Sequence, residues 1–370
     1  MDLLFMTFLL GTSVGAVLAQ HGGEHLQRWK RNVDTVTVTK AAVTAAAVTK
    51  AAVTKAAVTA AAVTKAAVTE EDDESNKTMV ERMQIKTVEK GIPNTADYRL
   101  YFRSKQGYIS PMHDVPLYSN FYTKVCNMIV EIPRWTNAKM QINLREPLNP
   151  IKQDIKHGLL RYVPNVFPHH GYIGNYGALP QTWENPLEAD PNTGRKGDGD
   201  PIDVLEIGER IAQRGEIIQV KVLGVLGLID EEETDWKIIA INVHDPNAAR
   251  LNDIGDVEAF FPGYLNATSE WLKHYKIPDR KPANTLAFNG EPKNREFALS
   301  VIDGCHQQWI KLMLGKIKVF GISIKNTVIG AGGLWPFTMA EREVNKRAFK
   351  TGTPAPIDRQ VEKSHFILPK

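Results

Sequence analysis

Ile217-Ile-Gln-Val-Lys-Val-Leu223 and Lys237-Ile-Ile-Ala-Ile-Asn-Val243 decide the fold class of this chain. Both are short runs of mostly β-branched residues, the types that fill a pleated, half-buried surface. Outward from them the same texture recurs in Tyr98-Arg-Leu-Tyr-Phe102, Met128-Ile-Val-Glu-Ile132, Lys139-Met-Gln-Ile-Asn143 and Ile202 to Ile207, separated by clusters of Pro, Gly and Asn. Helical spacing comes late, in Asp256-Val-Glu-Ala-Phe260, Ser269 to Tyr275 and Asn294 to Leu312, where Phe297, Val301 and Trp309 share a face. Few strands, many turns and flanking helices predict a mainly β fold, a small closed barrel with α-helices packed outside.

The 370 residues are 24% charged and 43% hydrophobic, a globular composition, and the net charge of +3 lacks the basic excess that makes nucleic acid a default partner. The two cysteines, Cys126 and Cys305, are far apart and outside any metal-ligand spacing, so two buried free thiols are expected. Residues 1–19 read as a signal-peptide-like segment, with an apolar run from Leu3 that ends in Val17-Leu18-Ala19, although Asp2 stands where a positive charge is usual. That segment suggests secretion or the ER lumen; the alternative is the cytoplasm. Residues 20–83 read as a low-complexity linker. From Val38 a five-residue unit repeats, and five residues advance a helix about 140° past a full turn, so its valines form no stripe. Residues 84–310 form the globular domain, and residues 311–370, with one β-like run at Ile317–Ile324 and the cluster Gly330-Ala-Gly-Gly333, an accessory C-terminal extension.

The chemistry is concentrated in Asp198-Gly-Asp-Pro-Ile-Asp203, followed by Asp230 and Asp235. Aspartates this close repel one another unless splayed into solvent or neutralised by cations. Oxygen-only ligands favour a hard cation, Mg²⁺ above all, which takes one or two carboxylates and is completed by water and substrate phosphate. In an extended strand Asp198 and Asp200 share a face, and Pro201 can turn Asp203 toward the same ion. Taken alone, Asp-x-Asp reads more readily as a solvated acidic turn. Interleaved with the strands are Lys139, Arg161, Lys237 and Lys276, with Tyr172, Tyr176 and Tyr275. Such groups neutralise and hydrogen-bond the oxygens of a polyphosphate, although each singly reads as a surface or packing residue.

Taken together, Glu131-Ile-Pro-Arg-Trp-Thr-Asn-Ala-Lys139, Phe167-Pro-His-His-Gly-Tyr-Ile173, Asn175-Tyr-Gly-Ala178, the Gly197 to Asp203 motif, Glu233-Thr-Asp-Trp-Lys237 and Tyr275-Lys-Ile-Pro278 closely resemble the eukaryotic family I soluble inorganic pyrophosphatases. The resemblance covers residues 84–310 in order. It implies a five-stranded OB-like closed barrel and divalent-metal-dependent hydrolysis of pyrophosphate to two phosphates by a metal-bound hydroxide. It further implies that Asp198, Asp203 and Asp235 hold the first metal, with Asp203 also touching the second, and that Asp200 accepts the proton. Asp230 and Asp235 hold further metals, and Glu131 helps through water. Lys139, Arg161, Tyr176, Lys237, Tyr275 and Lys276 then bind substrate, Arg161 and Tyr176 taking part in catalysis, and Tyr172 lines the site. A homodimer is implied by resemblance alone. His169 and His170 are expected to make structural hydrogen bonds and Asp245 to sit in a turn.

Departures from the family pattern stand at Gln141, where the family has glutamate, at Glu232, where it usually has glycine, and at Pro164 and Gly174. They motivate a rival reading as a weakened pseudoenzyme that binds metal, phosphate or a protein. A nucleic-acid-binding barrel fits poorly, because aspartates would repel a phosphate backbone.

Overall fold

The computed structural model describes residues 77–317 and 321–367, which lie within one compact unit. The signal-like segment 1–19, the repeats and most of the 20–83 linker lie outside the described residues. Among those described, no helix is long and apolar enough to cross a membrane. The strands are β1 (Lys86–Lys90), β2 (Arg99–Ser104), β3 (Gly107–Ile109), β4 (Val125–Ile132), β5 (Met140–Ile142), β6 (Ile151–Gln153), β7 (Asn175–Ala178), β8 (Asp203–Glu206), β9 (Ile217–Asp230) and β10 (Glu233–Asn242), with shorter pieces between them. The helices are α1 (Met79–Met83), α2 (Pro111–Asp114), α3 (Ile254–Phe260), α4 (Tyr264–His274), α5 (Arg295–Met313) and α6 (Phe337–Lys346). The mainly β expectation holds.

Five strands carry the centre of the molecule. Antiparallel ladders join β4 to β9, β9 to β10, β4 to β7 and β7 to β8, and a parallel ladder joins β8 to β10, so each of the five has two partners. Alternation along β10 separates two cores: Trp236, Ile238 and Ala240 pack on one face, where Ala298, Val301, Ile302 and Cys305 of α5 cover them, while Ile239 and Ile241 pack on the other. Lys237 and Asp235 continue that second row toward one end of the strand. The run expected at Ile217–Leu223 extends to Asp230, because Gly224 does not end the strand but sits at a bulge in the β9–β10 ladder. Cys126 and Cys305 are buried free thiols.

A second sheet orders β1, β2, β6 and β5, with β3 beside β2. The returning C-terminal segment is fastened to it at α2. The buried Asp114 carboxylate accepts the N–H groups of Ser110 at 2.8 Å, Thr327 at 2.9 Å and Val328 at 2.8 Å. Beside it His113, neutral because burial pushes its pKa down to about 4, receives the Trp309 indole N–H at 3.0 Å and donates to the Ser323 carbonyl at 3.0 Å. Residues 321–325 form no strand, so the β-like run expected at Ile317–Ile324 is not found over its described part; residues 318–320 lie outside it. Ser323 instead bonds the Leu144 carbonyl at 2.7 Å.

Among the described residues Asp114 is the acceptor these buried donors share, so Asp114→Ala should cost about 3 kcal/mol or more of stability. The check is a urea midpoint together with the rate of tryptic cleavage after Lys325, which should rise; an unchanged midpoint and cleavage rate would refute the clasp.

Candidate active site

The charged end of β10 opens into a cavity of about 190 Å³. Its geometry starts from strand register. Asp235 and Lys237 are two residues apart and face one way, and Asp203 at the start of β8 is the register partner of Lys237. The Lys237 ammonium therefore lies between two carboxylates, bonding Asp203 and Asp235, and also meets the Tyr176 hydroxyl at 3.0 Å. Tyr176, on β7 beside β8, donates its own proton to Asp203.

Asp198 and Asp200 reach the cavity from a loop, not from the extended strand expected. Gly199 is left-handed (φ +90), and the Asp198 carboxylate accepts the Asp200 N–H at 2.9 Å. The loop is clipped to residues 183–185: Gly199 N–H bonds the Glu184 carbonyl at 2.9 Å, Glu184 N–H the Asp200 carbonyl at 2.9 Å, and the Trp183 indole the Gly199 carbonyl at 2.9 Å. The contact is so close that a Cβ on Gly197 would stand 2.4 Å from the Glu184 carbonyl carbon.

The opposite wall is basic and phenolic. Lys139 lies 5.2 Å from the Tyr176 ring centroid, Arg161 pairs with Asp154 at 3.1 Å, and Lys276, just beyond the end of α4, pairs with Asp230. Tyr172, Tyr176, Trp271 and Tyr275 hold one another: Tyr172 is 4.8 Å from Tyr176 and 5.2 Å from Trp271, and Trp271 stacks on Tyr275 at 5.2 Å. Every residue expected to bind metal or substrate lines this one cavity except Glu131. Glu131 is buried behind the wall and accepts the Ile142 N–H at 2.6 Å.

Three lining or adjoining groups escaped the sequence reading. Asp154 and Trp271 carry no motif. Glu184 is the third: buried, it bonds the Trp236 N–H at 2.9 Å through one oxygen and has no partner for the other. Oxygens of Glu184, Asp198 and Asp235 fall within 4.8 Å of one another. An isolated glutamate in an irregular segment gives no sequence signal for this.

Electrostatics follow from six aspartates and four cations lining the cavity. Burial, reinforced by Asp200, pushes Asp198 up to about 8; burial raises Asp235 to about 8 against the pull of Lys237, and Asp200 to about 6 against Lys139. Asp203 is the exception: burial opposes ionisation, but Lys237 and Lys139 hold it below the usual carboxylate range. An all-oxygen set with unpartnered buried oxygens on Glu184 and Asp230 fits a hard divalent cation.

The two charge departures lie differently. Gln141 is in the wall. Glu232 is not: it sits left-handed (φ 75) in the β9–β10 turn, a conformation that favours glycine, and its exposed carboxylate pairs with Arg195. His169 and His170 are away from the cavity, and neither imidazole makes a hydrogen bond among the described residues, contrary to expectation; both border a surface groove with Trp135 and Tyr264.

Comparison with known proteins agrees with this geometry. The profile of the family described as "Inorganic pyrophosphatase" matches residues 128–310. The inorganic pyrophosphatase of Drosophila melanogaster is 57% identical over 261 residues, 69% of this chain and 77% of the relative. This chain belongs to the eukaryotic family I soluble inorganic pyrophosphatases. The mouse pyrophosphatase is 56% identical over 242 residues, covering 65% of this chain and 83% of its own. Among solved structures, that of the Schistosoma japonicum pyrophosphatase aligns with a TM-score of 0.71 at 49% identity, over 76% of this chain and all of the other. A Trypanosoma cruzi vacuolar soluble pyrophosphatase, solved in complex with pyrophosphate, aligns at 0.58 and 44% identity, over 63% of this chain and 92% of its own.

Acids whose folded pKa is raised bind protons that the unfolded chain, with pKa about 4, has released, so stability is lost as pH rises through the folded values. With a chelator present, the melting temperature should fall between pH 5 and pH 8. Mg²⁺ competes with those protons and should raise it more at pH 8 than at pH 6. Differential scanning calorimetry at several pH values tests this; a metal-free melting temperature that climbs with pH contradicts it.

Proposed function

We propose that this chain is a divalent-metal-dependent inorganic diphosphatase that hydrolyses pyrophosphate to two phosphates. The observation that carries the reading is a single cavity in which Asp198, Asp200, Asp203, Asp230 and Asp235 face Lys139, Arg161, Lys237, Lys276 and three tyrosines. With acids in excess, such a cavity rejects an anion unless cations enter with it, and Mg²⁺ is the cation we assign. Asp198, Asp203 and Asp235 would hold the first, Asp203 also touching a second, and Asp230 and Asp235 those arriving with substrate, with Glu131 contributing through water. When bound, the cations neutralise the carboxylates and substrate and acidify the attacking water.

The chain's own groups do the rest. An oxygen of Asp200 takes the proton of the attacking water; its loop N–H, tied to Asp198, fixes where that oxygen points. Lys139, Arg161, Lys276 and the Tyr172, Tyr176 and Tyr275 hydroxyls grip the phosphoryl oxygens and offset charge on the leaving phosphate. Lys237 anchors Asp203 and Asp235 until substrate competes for its ammonium. The five strands β4, β7, β8, β9 and β10 we read as an OB-like closed barrel, supported by each having two partners.

We take residues 84–310 as the catalytic domain, with the 20–83 linker and the 311–370 extension accessory to it. Pyrophosphate arises mainly in biosynthesis, so we propose the cytoplasm, usual for the family, as the location; a mature chain starting at Gln20 would put it on the secretory path instead. A homodimer follows the resemblance and is measurable by light scattering.

The purified protein should release phosphate from pyrophosphate with Mg²⁺ and stop when the metal is chelated. Asp200→Asn should lower kcat by roughly 10²–10⁴-fold while leaving KM within a few-fold. No phosphate release by the wild type in Mg²⁺, or an undiminished Asp200→Asn enzyme, would overturn the assignment.

A further inference from the structure

On the side of β10 that faces α5 lies another cavity, of about 220 Å³, between α5 and the loop of residues 184–197. It shares no lining residue with the catalytic cavity. Alternation along β10 accounts for the separation, since Asp235 and Lys237 line the catalytic cavity while Thr234 and Trp236 line this one.

Three carboxylates line it, Glu184, Glu188 and Asp190, and among the described residues no Lys, Arg or His does. Their depths differ. Glu188 is exposed at the rim, where the Gln308 amide meets it at 2.8 Å and Lys311 at 3.4 Å. Asp190 is already engaged by the Trp236 indole at 3.1 Å and the Asn192 N–H at 2.8 Å. Glu184 is only 3% exposed; one oxygen accepts the Trp236 N–H and the other has no partner. A buried carboxylate oxygen without a donor is costly, and a cationic donor relieves it. Val301 and Trp236 supply apolar surface.

The wall has one further peculiarity. Gly304 stands in the middle of α5, where glycine is the poorest helix former after proline. Packing does not demand it, because a Cβ there would meet no atom within 4 Å. What the glycine leaves is open space on the cavity wall.

We propose that this cavity binds a short alkyl-diammonium ion, one ammonium donating to Glu184, the methylene chain against Val301 and Trp236, and the second ammonium at Glu188. Acids at the floor and the rim exclude anions, and the apolar wall suits methylenes better than a hydrated metal ion. Glu184 also has an oxygen within 4.8 Å of oxygens of Asp198 and Asp235, so it stands between this cavity and the acidic nest. One carboxylate cannot serve an ammonium and a metal fully. The two ligands therefore oppose each other, by linkage to the same extent in both directions.

Isothermal titration calorimetry of the full chain in metal-free buffer tests this, with 1,4-diaminobutane as the ligand and 1,4-butanediol as its neutral match. The diamine should bind one to one with a Kd of roughly 1 mM or tighter, and the diol should give no heat. Gly304→Leu places a side chain in the cavity and should weaken binding about tenfold or more, while its melting temperature holds or rises because leucine favours helix. Glu184→Gln removes the deep charge and should weaken binding to a similar degree. Mg²⁺ at matched ionic strength should raise the wild-type Kd about threefold or more. Absence of binding, equal binding of the diol, or binding that both variants retain overturns the site; a Kd that Mg²⁺ leaves unmoved overturns the opposition of the two ligands. Phosphate release from pyrophosphate, measured on the same preparations, reports separately on the pyrophosphatase reading.

Discussion

A buried ammonium held between two carboxylates, Lys237 between Asp203 and Asp235, is the interaction on which the site depends. An ion pair taken out of water recovers its desolvation cost only with good geometry and satisfied neighbours. Here geometry comes from the backbone: Asp203 faces Lys237 across the parallel β8–β10 ladder, and Asp235 is two residues along the same strand. The tyrosine that completes the arrangement stands on β7, beside β8. Two ladders joining three strands must therefore be in register before the charges are tolerable. Asp198, which has no lysine beside it, and Asp235, which shares Lys237 with Asp203, are proton-rich at neutral pH, and this unmet demand for positive charge is what a metal would satisfy.

Much of this was legible before any coordinates. Alternating or β-branched runs such as Lys237 to Val243 announce strands because pleat and burial select those residues, and α5 is visible through Val301 and Trp309. The acidic motif was visible as a concentration of like charge that needs explaining. What pattern does not carry is proximity across long separations. Glu184 lies beside Asp198 and Asp235 only because the Gly197–Asp200 loop is clipped to residues 183–185, and no local spacing encodes that. The extended geometry expected for Asp198 and Asp200 fails because Gly199 can take a left-handed conformation that composition leaves open. Likewise the strand end expected after Leu223 is a bulge, a feature in which glycine means a bend rather than a stop.

The departures from family pattern separate once they have places. Glu232 carries its charge to solvent and Arg195, so its cost is one of backbone conformation in a turn. Gln141 lines the active-site cavity itself, and a neutral side chain there changes the potential in that cavity. Position, not residue type, decides which substitution can reach the chemistry.

β10 has one more consequence. Its odd-numbered residues run from Asp235 and Lys237 to Ile239 and Ile241, so a single alternating row is charged at one end and oily at the other. A slip of one residue would thrust Lys237 and Asp235 among the side chains of α5 and put Trp236 and Ile238 into the charged row at the same stroke. Proofreading of the active site is thus built into hydrophobic sorting. A chain that has packed its core correctly has already set its charges, and one that has not gains no half-formed site that could bind a phosphate in the wrong place.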